Sequence, residues 1–349
     1  MSKETKKQKV FVAMSGGVDS SVAALILKNQ GYDVTGVHML CWDGCENNED
    51  KRDATRVAAK LGIPFLVWDF KKEYREYVFN YMVREYAEGR TPNPDVMCNK
   101  EIKFGIFLKR ALEAGADYIA TGHYVKKNSD KLFAAKDKNK DQSYFLWTLT
   151  QDQLKHCLFP IGDYLKSEVR ELARGFGLPV ADKKDSQGLC FVGKIDFGEF
   201  LKKELPKKIG AVVSSDGGKI GEHDGAHFYT IGQRHGLNLG GQPRPVFVAE
   251  RDVATNTLVV ARGADDPVLY RQEITVENVN WIARPRGVSL LTRIRYRQPL
   301  QTCRISGKRV VFDKPQRAVA HGQSVVFYKD GPLDDARGRE MLGGGIIEK

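Results

Sequence analysis

Short apolar segments rich in β-branched residues alternate with helical patterns from Val10 to about Leu189. Such alternation is typical of a parallel sheet with helices on both faces, because consecutive parallel strands must be joined by a crossover connection. We predict strands at Val10–Met14, Val34–Met39, Pro64–Asp69 and Tyr118–Thr121, and helices at Ser20–Asn29, Asp53–Leu61, Glu73–Glu88, Lys100–Ala114 and Lys166–Phe176. The sequence therefore predicts an α/β fold with a doubly wound parallel sheet.

The pattern changes after a basic link at Pro206–Lys208, where Gly-rich turns and short strands replace the helical periodicity. We expect three domains, at 1–205, 206–270 and 271–349, the second small and β-rich. The spacing of the later strands predicts a closed β-barrel of six or a similar number of strands. These strands are predicted at Glu273–Ile282, Leu290–Tyr296, Thr302–Ile305, Arg309–Phe312 and Ser324–Tyr328.

Composition narrows the class of protein. The longest apolar run, Val22 to Leu27, is far shorter than the roughly 20 residues that span a bilayer. The formal net charge of +11 favours a polyanionic partner such as nucleic acid. Six cysteines in a chain of 349 residues, with no export signal recognised, indicate a reducing cytoplasm. A disulfide in such a protein is more often catalytic than structural.

The first motif, Ala13-Met14-Ser15-Gly16-Gly17-Val18-Asp19-Ser20-Ser21, joins the first predicted strand to the first predicted helix. Glycines allow close approach of the backbone to an oxyanion, and the amides and dipole at a helix N-terminus favour negative charge. Asp19 is expected either to orient the loop or to hold Mg²⁺ through water. An ordinary capped turn is the alternative interpretation for any one of these residues.

This string is not a Walker-type loop, because the chain has no Gly-x-x-x-x-Gly-Lys-Ser/Thr sequence. It resembles the PP-loop of the ATP pyrophosphatases, which split ATP to AMP and pyrophosphate while adenylating a substrate oxygen. That resemblance implies ATP as a substrate and leaves the second substrate open.

A second motif runs from Gly89 to Phe104 and contains Thr91-Pro92-Asn93-Pro94-Asp95-Val96-Met97-Cys98-Asn99. Its two prolines stiffen a predicted loop, Gly89–Asp95, that delivers Cys98 near the start of a helix. Positive charge on Lys100 and Lys103 is expected to favour the Cys98 thiolate, and Asp95 is a candidate acid or base. Without the first motif, Cys98 would more simply be a buried small residue and Asp95 a helix cap.

A third motif, Asp185-Ser186-Gln187-Gly188-Leu189-Cys190-Phe191, places a second thiol on a turn-like segment. Two cysteines on separate segments suit chemistry in which one sulfur attacks another. A structural role for Cys190 alone is the simpler alternative.

Together these strings resemble the tRNA-specific 2-thiouridylase family over nearly the whole chain. Further strings support the resemblance: Thr121-Gly122-His123-Tyr124, Lys140-Asp141-Gln142-Ser143-Tyr144-Phe145-Leu146, Tyr229-Thr230-Ile231-Gly232-Gln233-Arg234, Arg293-Ile294-Arg295-Tyr296-Arg297 and Leu342-Gly343-Gly344-Gly345-Ile346-Ile347. The resemblance implies that ATP and Mg²⁺ are used to adenylate the C2 oxygen of a wobble uridine in tRNA, which sulfur then replaces. It also implies an upstream persulfide donor, either a cysteine desulfurase or a sulfur-relay protein.

The site residues implied by the resemblance fall into three groups. Cys190 would carry the persulfide, Cys98 would attack it and Asp95 would shuttle a proton. ATP would contact Ala13, Met14, Ser15, Gly16, Gly17, Val18, Asp19, Ser20, Met39 and Gly122. The tRNA would contact Asn93, Pro94, Asp95, His123, Lys140, Asp141, Gln142, Arg295, Tyr296 and Gln323. We also expect Arg293, Arg295 and Arg297 to share one face of a strand, either binding phosphates or simply solvated.

One feature leaves the sulfur route open. Cys41 and Cys45 follow the second predicted strand but lack Cys-x-x-Cys spacing. They are either incidental or add thiolates to Cys98 and Cys190 for a metal or iron–sulfur cluster, which we do not favour. Two alternative functions also stay open, namely a PP-loop ligase or amidotransferase for a small metabolite and a non-catalytic RNA-binding module.

Overall fold

The N-terminal region is built on a five-stranded parallel sheet. The computed structural model of the protein describes residues 7–42, 48–184, 197–331 and 338–348. The strands of this region are β1 (Lys9–Ala13), β2 (Asp33–Leu40), β3 (Phe65–Asp69), β4 (Tyr118–Ala120), β5 (Val125–Asn128), β6 (Lys131–Ala134) and β7 (Cys157–Leu158). The sheet order is β3-β2-β1-β4-β7, and every neighbouring pair is parallel.

Helices cover both faces of this sheet. They are α1 (Val18–Asn29), α2 (Asn48–Leu61), α3 (Lys71–Tyr74), α4 (Asn80–Ala87), α5 (Pro94–Met97), α6 (Leu108–Glu113), α7 (Gln151–Lys155), α8 (Lys166–Gly175) and α9 (Phe197–Glu204). Side chains of β1 alternate between two cores, with Phe11 and Ala13 in one and Val10 and Val12 in the other. The predicted doubly wound α/β fold is thereby confirmed.

Two helices contain π-helical turns. Arg75–Phe79 connects α3 to α4, and Cys98–Phe107 connects α5 to α6. The second helix therefore begins at Pro94 rather than near Lys100, so the predicted loop is shorter than expected. The reason is local: the Asn93 side chain accepts a hydrogen bond from the Val96 amide at 3.2 Å, and Pro94 occupies the first turn.

The middle of the chain forms a small mixed sheet. Its strands are β8 (Gly210–Ser214), β9 (Lys219–His223), β10 (Val246–Asp252) and β11 (Thr257–Arg262), in the order β10-β11-β8-β9. Buried aliphatic side chains such as Val212, Val248 and Leu258 form its own core. This agrees with the small β-rich unit expected from the sequence.

The C-terminal strands close into an antiparallel barrel. They are β12 (Tyr270–Trp281), β13 (Ser289–Arg293), β14 (Gln301–Ser306), β15 (Arg309–Arg317), β16 (Ser324–Lys329) and β17 (Glu340–Ile347). Their order is β12-β15-β14-β13-β16-β17, and β12 also pairs with β17. In the described residues this gives a closed barrel of six strands, as predicted.

The barrel is joined to the N-terminal region through backbone hydrogen bonds. The β5–β6 hairpin of the N-terminal region pairs with β17, with Phe133 opposite Glu340 and Leu132 opposite Met341. The two partners are far apart in the sequence, and the sequence analysis did not anticipate this pairing.

One strand prediction is wrong. Leu290–Tyr296 was expected to be a strand on which Arg293, Arg295 and Arg297 share a face, but β13 ends at Arg293. The chain then turns: the Ile294 amide donates to the Gln298 side chain at 2.8 Å, and Arg297 adopts a left-handed φ of 65°. The three arginines therefore do not form one stripe.

None of the helices in the described ranges combines the length and apolarity required to cross a membrane.

Candidate active site

The first motif lies at the carboxyl end of β1, where the sheet order reverses between β1 and β4. Open α/β sheets bind ligands at such a switch point. The helix α1 begins at Val18 with Gly17 as its N-cap, and no side chain caps its first amides. These amides and the helix dipole are therefore available to an anionic ligand.

Glycine is required at two places around this loop. Gly16 has a φ of 79°, and a β-carbon there would collide with the backbone oxygen of Asp50 at the start of α2. Gly122, just after β4, packs so closely on α1 that an added β-carbon would lie 2.6 Å from the Ser20 nitrogen. The loop is thus held between α2 and the end of β4.

Serine side chains fix the conformation of the loop. The Ser20 hydroxyl accepts from the Ser15 amide at 3.2 Å and donates to the Gly17 oxygen at 3.2 Å. The Ser21 hydroxyl donates to the same oxygen at 2.7 Å. Ser15 itself is exposed, with its hydroxyl 3.2 Å from that of Ser20. Ser15 is therefore the loop hydroxyl that remains accessible to a ligand.

Asp19 is held by two residues from distant segments. Its Oδ1 accepts from the Tyr124 hydroxyl at 2.9 Å and from Lys166 Nζ at 2.7 Å. The Lys166 side chain is largely buried, with 13% of its surface exposed. This favours the orienting role expected for Asp19 and adds a fixed ammonium beside the loop. Sequence reasoning missed Lys166, since it lies outside every motif and only its position at the start of a predicted helix was noted.

Met39 lies in β2 next to the loop strand, with its side chain buried in the core. The neighbouring His38 donates from Nδ1 to the Met14 oxygen at 2.9 Å, and burial lowers the pKa of its imidazole. The strand ends that carry the predicted nucleotide contacts are therefore adjacent in the sheet, as their positions in the sequence indicated.

The second motif begins at the N-terminus of α5. Asn93 caps this helix and also shares a hydrogen bond with the Tyr144 hydroxyl. Asp95 is half-buried in the first turn, whereas Cys98 is completely buried in the core beside Ile102 and Phe104. The thiol therefore lies in the first turns of the helix, as expected, but beneath the protein surface.

The lysines expected to favour a thiolate are arranged differently from each other. Lys100 is exposed and pairs with Glu101 at 2.9 Å. Lys103 is half-buried, and its charge lowers the pKa of His123 after the larger effect of desolvation. Of these two lysines, Lys103 is therefore the one whose charge acts on a buried side chain.

Several of the predicted tRNA contacts make hydrogen bonds within the protein, and three of these are His123, Asp141 and Gln142. His123 is buried, with Nδ1 at 2.8 Å from the Thr121 hydroxyl. Asp141 is also buried, accepts from Ser143 and lies 3.6 Å from an Arg293 nitrogen. The Gln142 side chain accepts from the Tyr124 amide at 2.9 Å.

Arg295 and Tyr296 form part of a partly exposed aromatic and cationic cluster. The Arg295 guanidinium donates to the Arg317 and Ala318 oxygens, and burial lowers its pKa. The Tyr296 ring lies 4.5 Å from that of Phe145 between centroids, and 6.2 Å from that of Tyr144. Because Tyr144 contacts Asn93, this cluster brings barrel residues next to the second motif.

The remaining predicted contacts differ in their surroundings. Lys140 is half-buried near the buried Asp141. The Gln323 amide donates to the Thr91 and Pro92 oxygens at 3.0 and 3.1 Å. In this structure Gln323 therefore binds the backbone that leads into the second motif.

The third motif, including Cys190, lies outside the described residues. Lys183, which precedes it, donates to Asp50 and Asp53 at 2.7 and 2.6 Å at the start of α2, and these carboxylates raise its pKa against the opposing effect of desolvation. Asp50 is the residue that contacts Gly16 of the first motif. The chain just before the third motif is therefore anchored beside the first motif.

Two of the four cysteines considered for a thiolate cluster, Cys41 and Cys98, lie in the described residues. Cys41 is buried in the same core as Cys98, whereas Cys45 and Cys190 lie outside the described ranges. Within those ranges no three His, Cys, Asp or Glu side chains converge on a point that could hold a metal ion. The iron–sulfur alternative remains a hypothesis.

Comparison with known proteins divides the chain into three matched regions. A family profile described as the tRNA methyl transferase HUP domain matches residues 8–194. One described as the tRNA methyl transferase PRC-barrel domain matches 198–262, and one described as the aminomethyltransferase beta-barrel domain matches 271–347.

Curated relatives are similar over the full length. A protein of Geobacillus kaustophilus named tRNA-specific 2-thiouridylase MnmA 2 is 47% identical, covering 100% of this chain and 97% of its own. The Bacillus subtilis protein named tRNA-specific 2-thiouridylase MnmA is 46% identical with the same coverage. The protein of that name from Christiangramia forsetii is 42% identical, covering 97% of this chain and 100% of its own. This chain belongs to the tRNA-specific 2-thiouridylase family.

Proposed function

We propose that this protein is an ATP-dependent tRNA sulfurtransferase, which converts the C2 carbonyl of a wobble uridine into a thiocarbonyl. The observation that carries the proposal is the intact nucleotide loop, with α1 uncapped by a side chain and Asp19 held by Lys166, in a chain related to 2-thiouridylases over its full length. A carbonyl oxygen is a poor leaving group, so the reaction requires activation before sulfur arrives.

ATP supplies that activation. Residues Ala13 to Ser20 would hold the phosphates through the α1 amides and the Ser15 hydroxyl, with Met39 and Gly122 lining the nucleotide site. Lys166 would neutralise charge that develops as pyrophosphate leaves. Mg²⁺ would supply further neutralisation of the phosphates, and Asp19 is the carboxylate in the loop suited to reach it through water. The uridine oxygen attacks the α-phosphorus, pyrophosphate departs and an O-adenylated base forms.

The second motif would receive the base. A nucleobase in a stacked anticodon loop must be turned out for chemistry at C2, and unpaired loop bases make this inexpensive. Asn93, Pro94 and Asp95 form the rigid start of α5 and would contact this base. Asp95 would accept and return the proton as the geometry at C2 changes.

Two thiols would complete the exchange. The terminal sulfur of a persulfide on Cys190 attacks C2 and AMP leaves, which gives a mixed disulfide between the base and Cys190. The Cys98 thiolate then attacks the Cys190 sulfur, and the 2-thiouridine is released. Alternatively, Cys98 attacks Cys190 first and releases hydrosulfide, which attacks C2. Both routes leave a Cys98–Cys190 disulfide, so a dithiol reductant must return two electrons before the next cycle.

The barrel and the adjoining segments would hold the RNA. The Tyr144 side chain contacts Asn93 and lies close to Tyr296 and Arg295. These two barrel residues would therefore supply a ring and a cation beside the base site. His123, Lys140, Asp141, Gln142 and Gln323 complete the proposed contacts. A cytoplasmic cysteine desulfurase or sulfur-relay protein would reload Cys190.

The test is direct. The protein is incubated with ATP, Mg²⁺, a persulfide donor and unmodified tRNA, and 2-thiouridine is measured by mass spectrometry of the digested RNA. Wild-type protein should form it, whereas Cys98→Ala and Cys190→Ala proteins should not, although both should still bind tRNA. Full activity of either variant would contradict the two-thiol scheme. The affinity for tRNA should also fall steeply with salt, because phosphate contacts release counterions.

A further inference from the structure

The first four residues of the second motif, Gly89 to Pro92, are held by both β domains at once. On one side, Arg251 of β10 inserts its guanidinium against the segment. Its Nε donates to the Gly89 oxygen at 3.0 Å, and its Nη2 donates to the Thr91 hydroxyl at 2.8 Å. Its Nη1 donates to the Tyr229 oxygen of the middle domain. One side chain therefore ties the middle domain to this segment.

The barrel holds the same segment from the other side. The Thr91 amide donates to the His321 oxygen at 2.7 Å, and Gln323 donates to the Thr91 and Pro92 oxygens. A β-carbon on Gly322 would lie 2.9 Å from the Arg90 β-carbon, so the two chains are in close contact. Thr91 is thus bonded to the barrel through its backbone and to the middle domain through its hydroxyl.

The hydrogen bonds of Arg251 form at a cost in desolvation free energy. In the part of the chain that the structure describes, no carboxylate lies within ion-pair distance of its guanidinium, and burial lowers its pKa to about 10. A partly desolvated charge without a counter-ion is costly, and the three nitrogens of Arg251 bond here to uncharged oxygens alone. An apolar residue of similar volume would serve packing equally well, which favours a role in placing the bonded oxygens.

The held segment is continuous with the reacting groups. Asn93 follows directly and caps α5, which carries Asp95 and leads into Cys98. A displacement of about 1 Å in such a group can reduce a rate by about 100-fold. Only Pro92 separates Thr91 from Asn93, so a shift of Thr91 would also move the start of α5, where the proposed base site lies.

We propose that Arg251 and Thr91 are positioning residues, whose hydrogen bond lets the middle domain and the barrel together set the start of α5 for the reaction at C2. The inference rests on the proposed function, since it concerns the same base site. The two β domains then contribute to the chemical step as well as to RNA binding. A tRNA bound to both domains would favour the arrangement in which this segment is correctly placed.

The experiment compares Thr91→Val, which removes the hydroxyl with little change in shape, with Thr91→Ser, which keeps it. Arg251→Met is the partner variant, and Arg244→Met is the matched control, because Arg244 is an exposed middle-domain arginine paired with Asp265. For each full-length protein, kcat and KM for tRNA are measured in the thiolation assay. The Kd for tRNA and the melting temperature are also measured.

We expect Thr91→Val and Arg251→Met to lower kcat by about 10- to 100-fold. Their KM and Kd for tRNA should change by less than about threefold, because the lost interaction acts in the chemical step. Thr91→Ser should recover most of the rate, and Arg244→Met should match wild type. The variant that combines Thr91→Val with Arg251→Met should be no slower than Arg251→Met alone, because Arg251→Met already removes the hydrogen bond that Thr91→Val removes.

Three results would overturn the inference. These are a wild-type kcat for Thr91→Val, a Thr91→Ser protein as slow as Thr91→Val, or a rate loss explained fully by weaker tRNA binding. Should Arg251→Met fail to fold, the two Thr91 variants still decide the matter. If the wild-type protein forms no 2-thiouridine, the proposed function itself is refuted. If the wild-type protein is active and Thr91→Val is equally active, only the positioning role is refuted.

Discussion

Replacing Gly122 with alanine would press one methyl group against the nucleotide loop. The added β-carbon would lie 2.6 Å from the Ser20 nitrogen and 2.7 Å from the Asp19 carbonyl carbon. Ordinary contact begins near 3.4 Å, so the N-terminus of α1 must retreat by about 0.8 Å. Backbone atoms of a helix cannot rotate away as a flexible side chain can, and the loop must move with the helix.

Two measurable effects follow from that displacement. Overpacking typically costs about 1–3 kcal/mol in the free energy of unfolding. At about 2–4 °C per kcal/mol for a domain of this size, the melting temperature should fall by several degrees. Adenylation should slow by about 100-fold, because the α1 amides would be displaced by nearly 1 Å from the phosphates.

The assay is tRNA-dependent release of pyrophosphate from ATP, followed in parallel with thermal unfolding. Gly175→Ala is the matched control, because an added β-carbon near the end of α8 meets no atom within 4 Å. It should keep the wild-type rate and melt at or slightly above the wild-type temperature. If Gly122→Ala releases pyrophosphate and melts as Gly175→Ala does, the tight packing of Gly122 on α1 does not position the loop.

Three further predictions concern individual side chains. Lys166→Met should slow pyrophosphate release by on the order of 100-fold, because it removes the ammonium beside the Asp19 carboxylate. Lys155 is exposed, and the control variant Lys155→Met should match wild type. Cys98→Ser should abolish 2-thiouridine formation measured by mass spectrometry. Cys157→Ser should retain it, because Cys157 lies in β7, outside all three motifs, and burial raises the pKa of its thiol to about 12. Loss of product in both variants would contradict this distinction. Desolvation places the pKa of His123 in the folded protein well below 6.5. As the pH drops, His123 is therefore protonated in the unfolded chain before it is protonated in the folded protein. The free energy of unfolding should fall as the pH drops below about 6.5. Urea unfolding at pH 7.5 and 5.5 should show a smaller fall for His123→Gln than for wild type, and an equal fall would refute the assignment.

The sequence predicted the features that depend on local periodicity. β1 and β2 were recognisable because both faces of a central parallel strand are buried, which makes the strand apolar throughout. The glycines and hydroxyls of the nucleotide loop were recognisable because their spacing around a strand-to-helix turn has a physical reason. In both cases the information lies within a few consecutive residues.

Features that depend on pairs of distant residues were not predictable in this way. Lys166 reaches Asp19 across 147 positions, and neither residue type indicates the other. The stripe of barrel arginines failed for a related reason, because the turn after Arg293 is fixed by the side chain of Gln298 rather than by the alternation of the strand. Asn93 and Pro94 did carry a helix-start signal, but the two prolines of the segment favoured a loop.

The join between the β5–β6 hairpin and β17 has a consequence during protein synthesis. Phe133 and Glu340 are separated by 207 positions, so at about 5–20 residues per second the hairpin waits roughly 10–40 s for its partner strand. Until then, the open edge of β6, which carries Leu132 and Phe133, can pair with a strand of another chain. The lysines of the hairpin, including Lys131, oppose this pairing because like charges of two such hairpins repel each other. A nascent chain released before β17 is made would have an open barrel and an unpaired β6 edge in the catalytic region. The last strand of the chain therefore completes both parts of the structure.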